Sequence, residues 1–551
     1  MTPVWCIGGY GGGAVPAAAT SRRGLERSRG RTVGGDRHNS RMLLSELVSV
    51  SDAVAGTRSR TAKSTAIAGA LGQAAPDEVE TVVAYLSGQL RQRRTGLGWH
   101  SLSDPPAPAD KPSLTVHDVH RIFEDISTVA GSGARAQRAR LVRELFGAAT
   151  ADEQRFLRGL VAGDLRQGAL DGIMLDAIAR ATSLPAAAVR RAAMMGGATG
   201  PVALAALTEG FRGLEGFVLE PGRPVRPMLA ATAPDVSDAF AKITAGGEEV
   251  AVDWKLDGIR IQVHRQADDV LVVTRSLDDI TDRLPEVVDQ VRALPSTTLV
   301  LDGEAVALTM QGGPLPFQQT AARTATSTDV ARLRQDVPLT TFAFDLLHVD
   351  GRDLIDAPAG VRFAVMRDVL PADLVVPRLL TADVTEAEAF FADAVARGHE
   401  GVVVKGLTAP YEAGRRGASW VKVKPRHTLD LVVLAAEWGN GRRQGWLSNL
   451  HLGARDPDGG FVMLGKTFKG LTDALLTWQT ERLLALETER DRHIVRVRPE
   501  LVVEIAFDGL QTSTRYPGGL ALRFARVIRY REDKPAAEAD TIDTVRSLMP
   551  R

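Results

Sequence analysis

Lys255 stands in DWKLDGIR, residues 253–260, directly after the alternating apolar stretch EEVAV. A lysine at a strand end projects its amine into whatever cleft the strand faces, and the following Asp257 and Gly258 suit a turn. Glycine there permits φ > 0 and a close approach by another backbone. An amine so placed becomes a nucleophile once cationic neighbours or desolvation populate its neutral form. Alone, K-x-D-G is also the pattern of a surface lysine before a turn, so its company decides.

Four downstream runs carry chemistry that agrees. LDGEAV (301–306) sets Glu304 on a strand after a tight Asp-Gly turn, and FAFDLLHVDG (342–351) puts Phe342 and Phe344 on one strand face. EGVVVK (400–405) places Glu400 at the start of a strand and Lys405 at its end. WVKVKP (420–425) alternates, so Trp420, Lys422 and Lys424 point one way while Val421 and Val423 point to the core. Gathered in one pocket, carboxylates can hold Mg²⁺, lysines can neutralise phosphate oxygens, and a ring can stack on a base. That is the equipment for nucleotidyl transfer to an amine, with Lys422 and Lys424 as cationic neighbours of Lys255. Taken singly, a strand lysine is usually solvated and a strand phenylalanine is usually core.

The elements that must position these residues follow from patterning. Residues 42–215 are rich in Ala and Leu at three- and four-residue spacing, which predicts an all-α region. TVHDVHRIFEDIS, RAQRARLVRELFGAA and LDGIMLDAIARAT read as separate helices, and SLSDPPAPADKPS (101–113) as a loop. Residues 216–425 alternate strands with short helices, an α+β domain with antiparallel sheets. Residues 426–551 hold further strands and one long helix, which suits a small five-stranded β-barrel. Residues 1–41 lack either period, are rich in Gly, Ala, Ser and Arg, and read as a disordered leader: either Met42 is the true start or the leader is a dispensable tail, with a basic nucleic-acid-binding arm as the sharper alternative.

Composition narrows the class. With 44% apolar and 24% charged residues the chain is of the ordinary globular type. Lys+Arg and Asp+Glu balance at 67 each, so a polyanionic partner would need local basic clusters. The single cysteine, Cys6, excludes an internal disulfide framework and a cysteine-based zinc site, and points to a reducing cytoplasm. No apolar run reaches the length of a membrane span.

In order and spacing the runs resemble the covalent nucleotidyltransferases: K-x-D-G, an S/T-R element, E, F-x-F-D, E-G-x-x-x-K and W-x-K-x-K. Within them the chain is similar to the ATP-dependent DNA ligases, over about 42–551. The resemblance implies an all-α DNA-binding domain, a nucleotidyltransferase domain and a C-terminal OB-fold, with ATP as substrate and Mg²⁺ as cofactor. It implies that Lys255 carries the adenylate, and that Arg260 and Arg275 contact ribose and nick phosphate. Glu304 and Glu400 would lie near ribose and metal, Phe344 would stack on adenine, and Lys422 and Lys424 would hold the α-phosphate, with Trp420 beside them. Asp253 stands where the family usually has Glu facing the adenine amino group, one methylene short. LRFARVIRYREDKP (522–535) resembles the family's C-terminal motif, so Arg531, Asp533 and Lys534 would orient departing pyrophosphate, and Arg523 and Arg526 would suit DNA. In the helical region GSGARAQR and GDLRQGAL offer Arg135 and Arg166 to backbone phosphates. The implied partner is nicked duplex DNA at the nucleoid, engaged by a monomer without membrane, in replication, repair or recombination. No sliding-clamp partner is legible.

The nearest rival is NAD⁺-dependent ligation, but those enzymes carry a four-cysteine zinc module. RNA ligases and capping guanylyltransferases share the nucleophile motif without a helical region of this length. A non-enzymatic nucleic-acid scaffold would have lost the lysine or the acidic residues, and none is lost.

Overall fold

The computed structural model describes residues 41–92, 95–102, 104–165, 167, 171–244, 246–412, 416–440 and 443–549, with backbone alone at 99, 100 and 416–418. The expected leader up to residue 40, Cys6 and Arg166 lie outside the described residues. Among the described residues ten α-helices between Leu44 and Glu215 enclose one apolar core. The helix Val116–Thr128 shows why they form: it buries Val116, Val119, Phe123 and Ile126 along one stripe. Its capping box has Thr115 Oγ1 accepting from Asp118 N at 3.1 Å, and Thr115 donating back to the Asp118 carboxylate. The other two expected helices run Ala134–Ala148 and Asp171–Thr182. No helix among the described residues is long and apolar enough to cross a membrane.

The chain between helices and sheets is pinned by buried side chains. Gln262 exchanges hydrogen bonds with both backbone groups of Val225, at 2.8 and 3.1 Å, and His264 Nδ1 accepts from Gly222 N at 3.1 Å. Burial lowers His264 to about 4, so its ring stays neutral and can accept.

Two five-stranded sheets follow. The first runs Leu229–Thr232, Arg416–Val423, Gly401–Gly406, Val250–Lys255, Arg378–Thr381 in spatial order. The second runs Asp269–Thr274, Ile259–Gln266, Thr298–Ala307, Leu339–Val349, Arg352–Asp353. All neighbours are antiparallel except Leu229–Thr232 with Arg416–Val423, a parallel pairing that departs from the expected antiparallel sheets. It arises where the chain enters from the helical region and meets a strand already paired on its other side.

Asp302 and Gly303 correct a second expectation. They lie inside the strand Thr298–Ala307, at a register shift, and form no turn. Glycine is needed there because a Cβ would stand 2.7 Å from the Phe342 carbonyl oxygen.

The C-terminal strands form a seven-stranded sheet, not five strands, and their described pairings trace an open path. One long strand, His427–Trp438, carries two register shifts against Leu447–Arg455. It pairs with Val502–Phe507 through residues 427–432 and with Ile494–Val497 through 435–437. Irregularities of this kind bend a strand enough to serve successive partners. A two-stranded ribbon, Gly509–Thr512 with Leu520–Arg523, and the helix Asp473–Ala485 complete the region.

Candidate active site

Lys255 is the last residue of its strand in the first sheet, and Ile259 opens the second, so Leu256–Gly258 is the bridge between sheets. Gly258 is there for space and not for a left-handed turn. A Cβ on it would lie 2.4 Å from the Ala305 carbonyl oxygen and 2.9 Å from Glu304 Cγ. This close approach brings the Lys255 strand end against the strand that carries Glu304. A cavity of about 1530 Å³ opens between the sheets, lined by Lys255, Glu304, Phe344, Glu400, Lys422 and Lys424 among others.

Glu400 is the electrostatic hub. Its backbone N donates to Lys255 O at 3.0 Å, one Oε pairs with Lys255 Nζ, and the other accepts from Lys424 Nζ at 2.6 Å. Burial raises the Glu400 carboxyl, but the two ammonium groups outweigh it and hold the group below the usual range. Lys424 also donates to Asp508 at 3.2 Å, and burial notwithstanding, its two carboxylate partners raise it. Glu304 differs. Burial raises it to about 7 against the pull of Lys255 and Arg260, and its carboxylate has no hydrogen bond or ion pair among the described residues. Two neighbouring carboxylates thus have opposite environments, one locked by lysines and one available.

The opposite wall is aromatic over buried charge. Arg260, across the ladder from Glu304, donates to both oxygens of Asp302 at 3.0 and 2.6 Å and to Met228 O at 2.7 Å. Its guanidinium lies 5.3 Å from the Phe344 ring centroid. Trp420 meets Phe344 edge-on at 5.8 Å, and Lys405 Nζ sits 4.2 Å from the Trp420 centroid. Asp253, 1% exposed, accepts from Arg378 at 2.5 and 2.8 Å and from Lys405 at 2.6 Å. Burial raises that carboxyl and the two cations more than reverse it.

The C-terminal ribbon reaches the same cavity. Arg523 Nη1 donates to Asp257 Oδ2 at 2.8 Å, and Lys469, Phe524 and Arg526 join the lining. Arg531 and Lys534 do not line it. Both donate to Asp430 Oδ2, at 2.8 and 2.9 Å, and Arg531 also holds Asp533.

Comparisons with known proteins give the family. Profiles described as ATP dependent DNA ligase domain, ATP dependent DNA ligase C terminal region and DNA ligase N terminus match residues 227–424, 443–534 and 97–179. The chain is 64% identical over 513 residues to a "Probable DNA ligase" of Beutenbergia cavernae, covering 92% of this chain and 99% of that protein. A "Probable DNA ligase" of a Nocardioides species is 61% identical over 517 residues, 93% of this chain and 100% of the relative. The chain belongs to the ATP-dependent DNA ligases. A solved structure, Pmar-Lig_PreS3, shares the fold over 88% of this chain and 99% of its own at a TM-score of 0.58 and 18% identity.

In this ligase the cavity gathers Lys255, Asp253, Arg260, Arg275, Glu304, Phe344, Glu400, Trp420, Lys422, Lys424, Arg523 and Arg526. Arg275 is exposed on the loop after Asp269–Thr274. Arg135 is exposed in the first turn of Ala134–Ala148 and, like Arg531 and Lys534, does not line the cavity. Sequence reasoning missed Asp302, Arg378, Tyr411 and Asp508. Asp302 and Arg378 had one legible signal, a charge inside an apolar strand run. Tyr411, whose hydroxyl donates to Asp302 at 2.6 Å, had none.

Proposed function

We propose that this ligase seals nicks in duplex DNA through a lysyl-AMP on Lys255. The observation that carries the reading is Lys255 at a strand end in the cavity, sharing Glu400 with Lys424 and facing Phe344's wall. Unprotonated Lys255 attacks the α-phosphorus of ATP in line with the departing pyrophosphate. The 5′-phosphate at the nick then takes the AMP, and the 3′-hydroxyl displaces it. Each step is favoured mainly by positioning and charge neutralisation. Phe344 stacks on adenine, Lys422 and Lys424 hold the α-phosphate, and Glu400 fixes where the nucleophilic amine stands.

A divalent ion fits the donor set, since Mg²⁺ is bound through one or two carboxylates plus substrate phosphates. Glu304 is the available donor, Glu400 would be the second once a lysine releases one of its oxygens, and the bound ion would supply neutralisation of phosphate charge. The helical region and the C-terminal sheet, read as an OB-type barrel, complete a clamp on the duplex. Arg135, Arg523 and Arg526 contact its backbone, while Arg531 and Lys534 serve pyrophosphate departure after leaving Asp430.

The test is labelling with α-³²P ATP or GTP, then presentation of nicked DNA or nicked RNA. Label from ATP that is lost to DNA on sealing supports the reading. No label, or sealing of RNA alone, overturns it.

A further inference from the structure

Phe344 is the extra residue of a β-bulge. Asp302 pairs with Asp345 and Gly303 with Ala343, leaving Phe344 opposite nothing. A bulge re-aims a side chain and frees a backbone carbonyl from the ladder. The ring turns into the cavity, and the carbonyl is taken up by two buried cations. Arg378 Nη2 donates to Phe344 O at 2.8 Å and Lys405 Nζ at 3.1 Å. Arg378 opens an edge strand of the first sheet and lies directly across from Asp253. Its Nε and Nη2 hold the two Asp253 oxygens, so one guanidinium ties the Lys255 strand to the bulged strand of the other sheet. Its plane is fixed from behind by the Phe363 ring, 3.5 Å from the guanidinium carbon.

Two consequences follow for the base pocket. The Asp253 carboxylate is engaged on both oxygens by Arg378 and Lys405, so its first duty is to hold cations. The contacts on the Phe344 carbonyl hold the bulged backbone in place, and with it the direction in which the ring leaves the strand. Arg378 itself does not line the cavity and belongs to none of the recognised runs. We propose that Arg378 is a positioning residue for nucleotide binding, locking the bulged Phe344 in the orientation that stacks on the base and withdrawing Asp253 from the base edge. The inference rests on the proposed stacking of adenine on Phe344.

The experiment measures formation of the labelled enzyme adduct against ATP concentration for the full chain and for R378Q, R378K, F344A and F344A/R378Q. R378Q is expected to raise the half-saturating ATP concentration roughly tenfold, the worth of one charge-assisted hydrogen bond, with the maximal rate changed less than about twofold. R378K keeps the charge but cannot span two carboxylate oxygens and a carbonyl, so it should fall between. On the F344A background R378Q should add nothing further, because both act on the same contact. A lowered thermal midpoint with unchanged ATP dependence would make Arg378 purely structural and overturn the inference, as would additivity with F344A. Should R378Q not fold, R378K with a wild-type half-saturation is the overturning result. Absence of label on the unmodified chain would defeat the proposed function and this inference together, whereas label there with R378Q unaltered defeats only the inference.

Discussion

Arg523 of the C-terminal ribbon donates to Asp257, two residues after Lys255, at 2.8 Å, while its guanidinium carbon lies 5.1 Å from the Phe317 ring centroid. Both partners belong to the central sheets' side of the cavity, so Arg523 is a clasp across it. The neighbouring contact, Lys424 to Asp508 at 3.2 Å, repeats the same connection with the charges reversed. Arg523→Ala should therefore slow sealing of nicked DNA by roughly tenfold, the loss of one part-buried charge-assisted hydrogen bond. Adenylate formation on Lys255 should change far less. Single-turnover assays of the two steps separate them, and equal losses in both would contradict a clasp role.

Asp508 places a carboxylate on a lysine proposed to bind phosphate. Asp508→Asn removes that competitor, so less ATP should be needed for half-maximal adenylation, by about two- to fivefold. Titration of adduct formation against ATP checks it; a rise would show that Asp508 supports nucleotide binding.

Gly258→Ala inserts a methyl 2.4 Å from the Ala305 carbonyl oxygen. Backbone must move, at a cost of about 1–3 kcal/mol by the usual penalty for overpacking. Denaturant unfolding should register the loss, and adduct formation should fall with it because the shift is passed straight to Lys255.

Glu304 supplies a pH dependence with a definite sign. Its carboxyl is raised to about 7 by burial, so it is largely protonated below that value and ionised above it. If ionised Glu304 is the metal donor, Mg²⁺-dependent adenylation should climb as pH rises through about 7, and Glu304→Gln should flatten the profile. Stability runs the other way. A raised folded pKa means that the favourable protonated contribution is complete below the unfolded value and lost as pH rises through about 7. At pH 8 the Gln variant should thus melt above the unmodified chain, with the difference vanishing in acid.

The strands bearing the chemistry were readable because their periods were clean: Gly401–Gly406 and Leu339–Val349 fall where alternation predicts them. Lys255, Glu400 and Lys424 were readable as types in sequence, but their mutual contact was not, since it depends on which strands of the first sheet lie side by side and in what register. The Asp-Gly of residues 302–303 misled because that dipeptide favours turns, whereas here its glycine answers a crowding carbonyl from another strand. Arg378 stood out only as a charge inside an apolar run, and its partners were hidden for the same reason: its three acceptor atoms come from strands well over a hundred and about thirty residues distant. The C-terminal strand count was underestimated because one bent strand serves three partners, a property of register and not of composition.

Only Leu256–Gly258 separates the residue at the end of one sheet from the first residue of the next. The amine thus rides on one slab and its facing carboxylate, Glu304, on another, like the two jaws of a caliper. Warming that loosens the slabs against each other by a fraction of an ångström would spoil the gap while every strand stayed intact. Heat should silence this enzyme before it unfolds it.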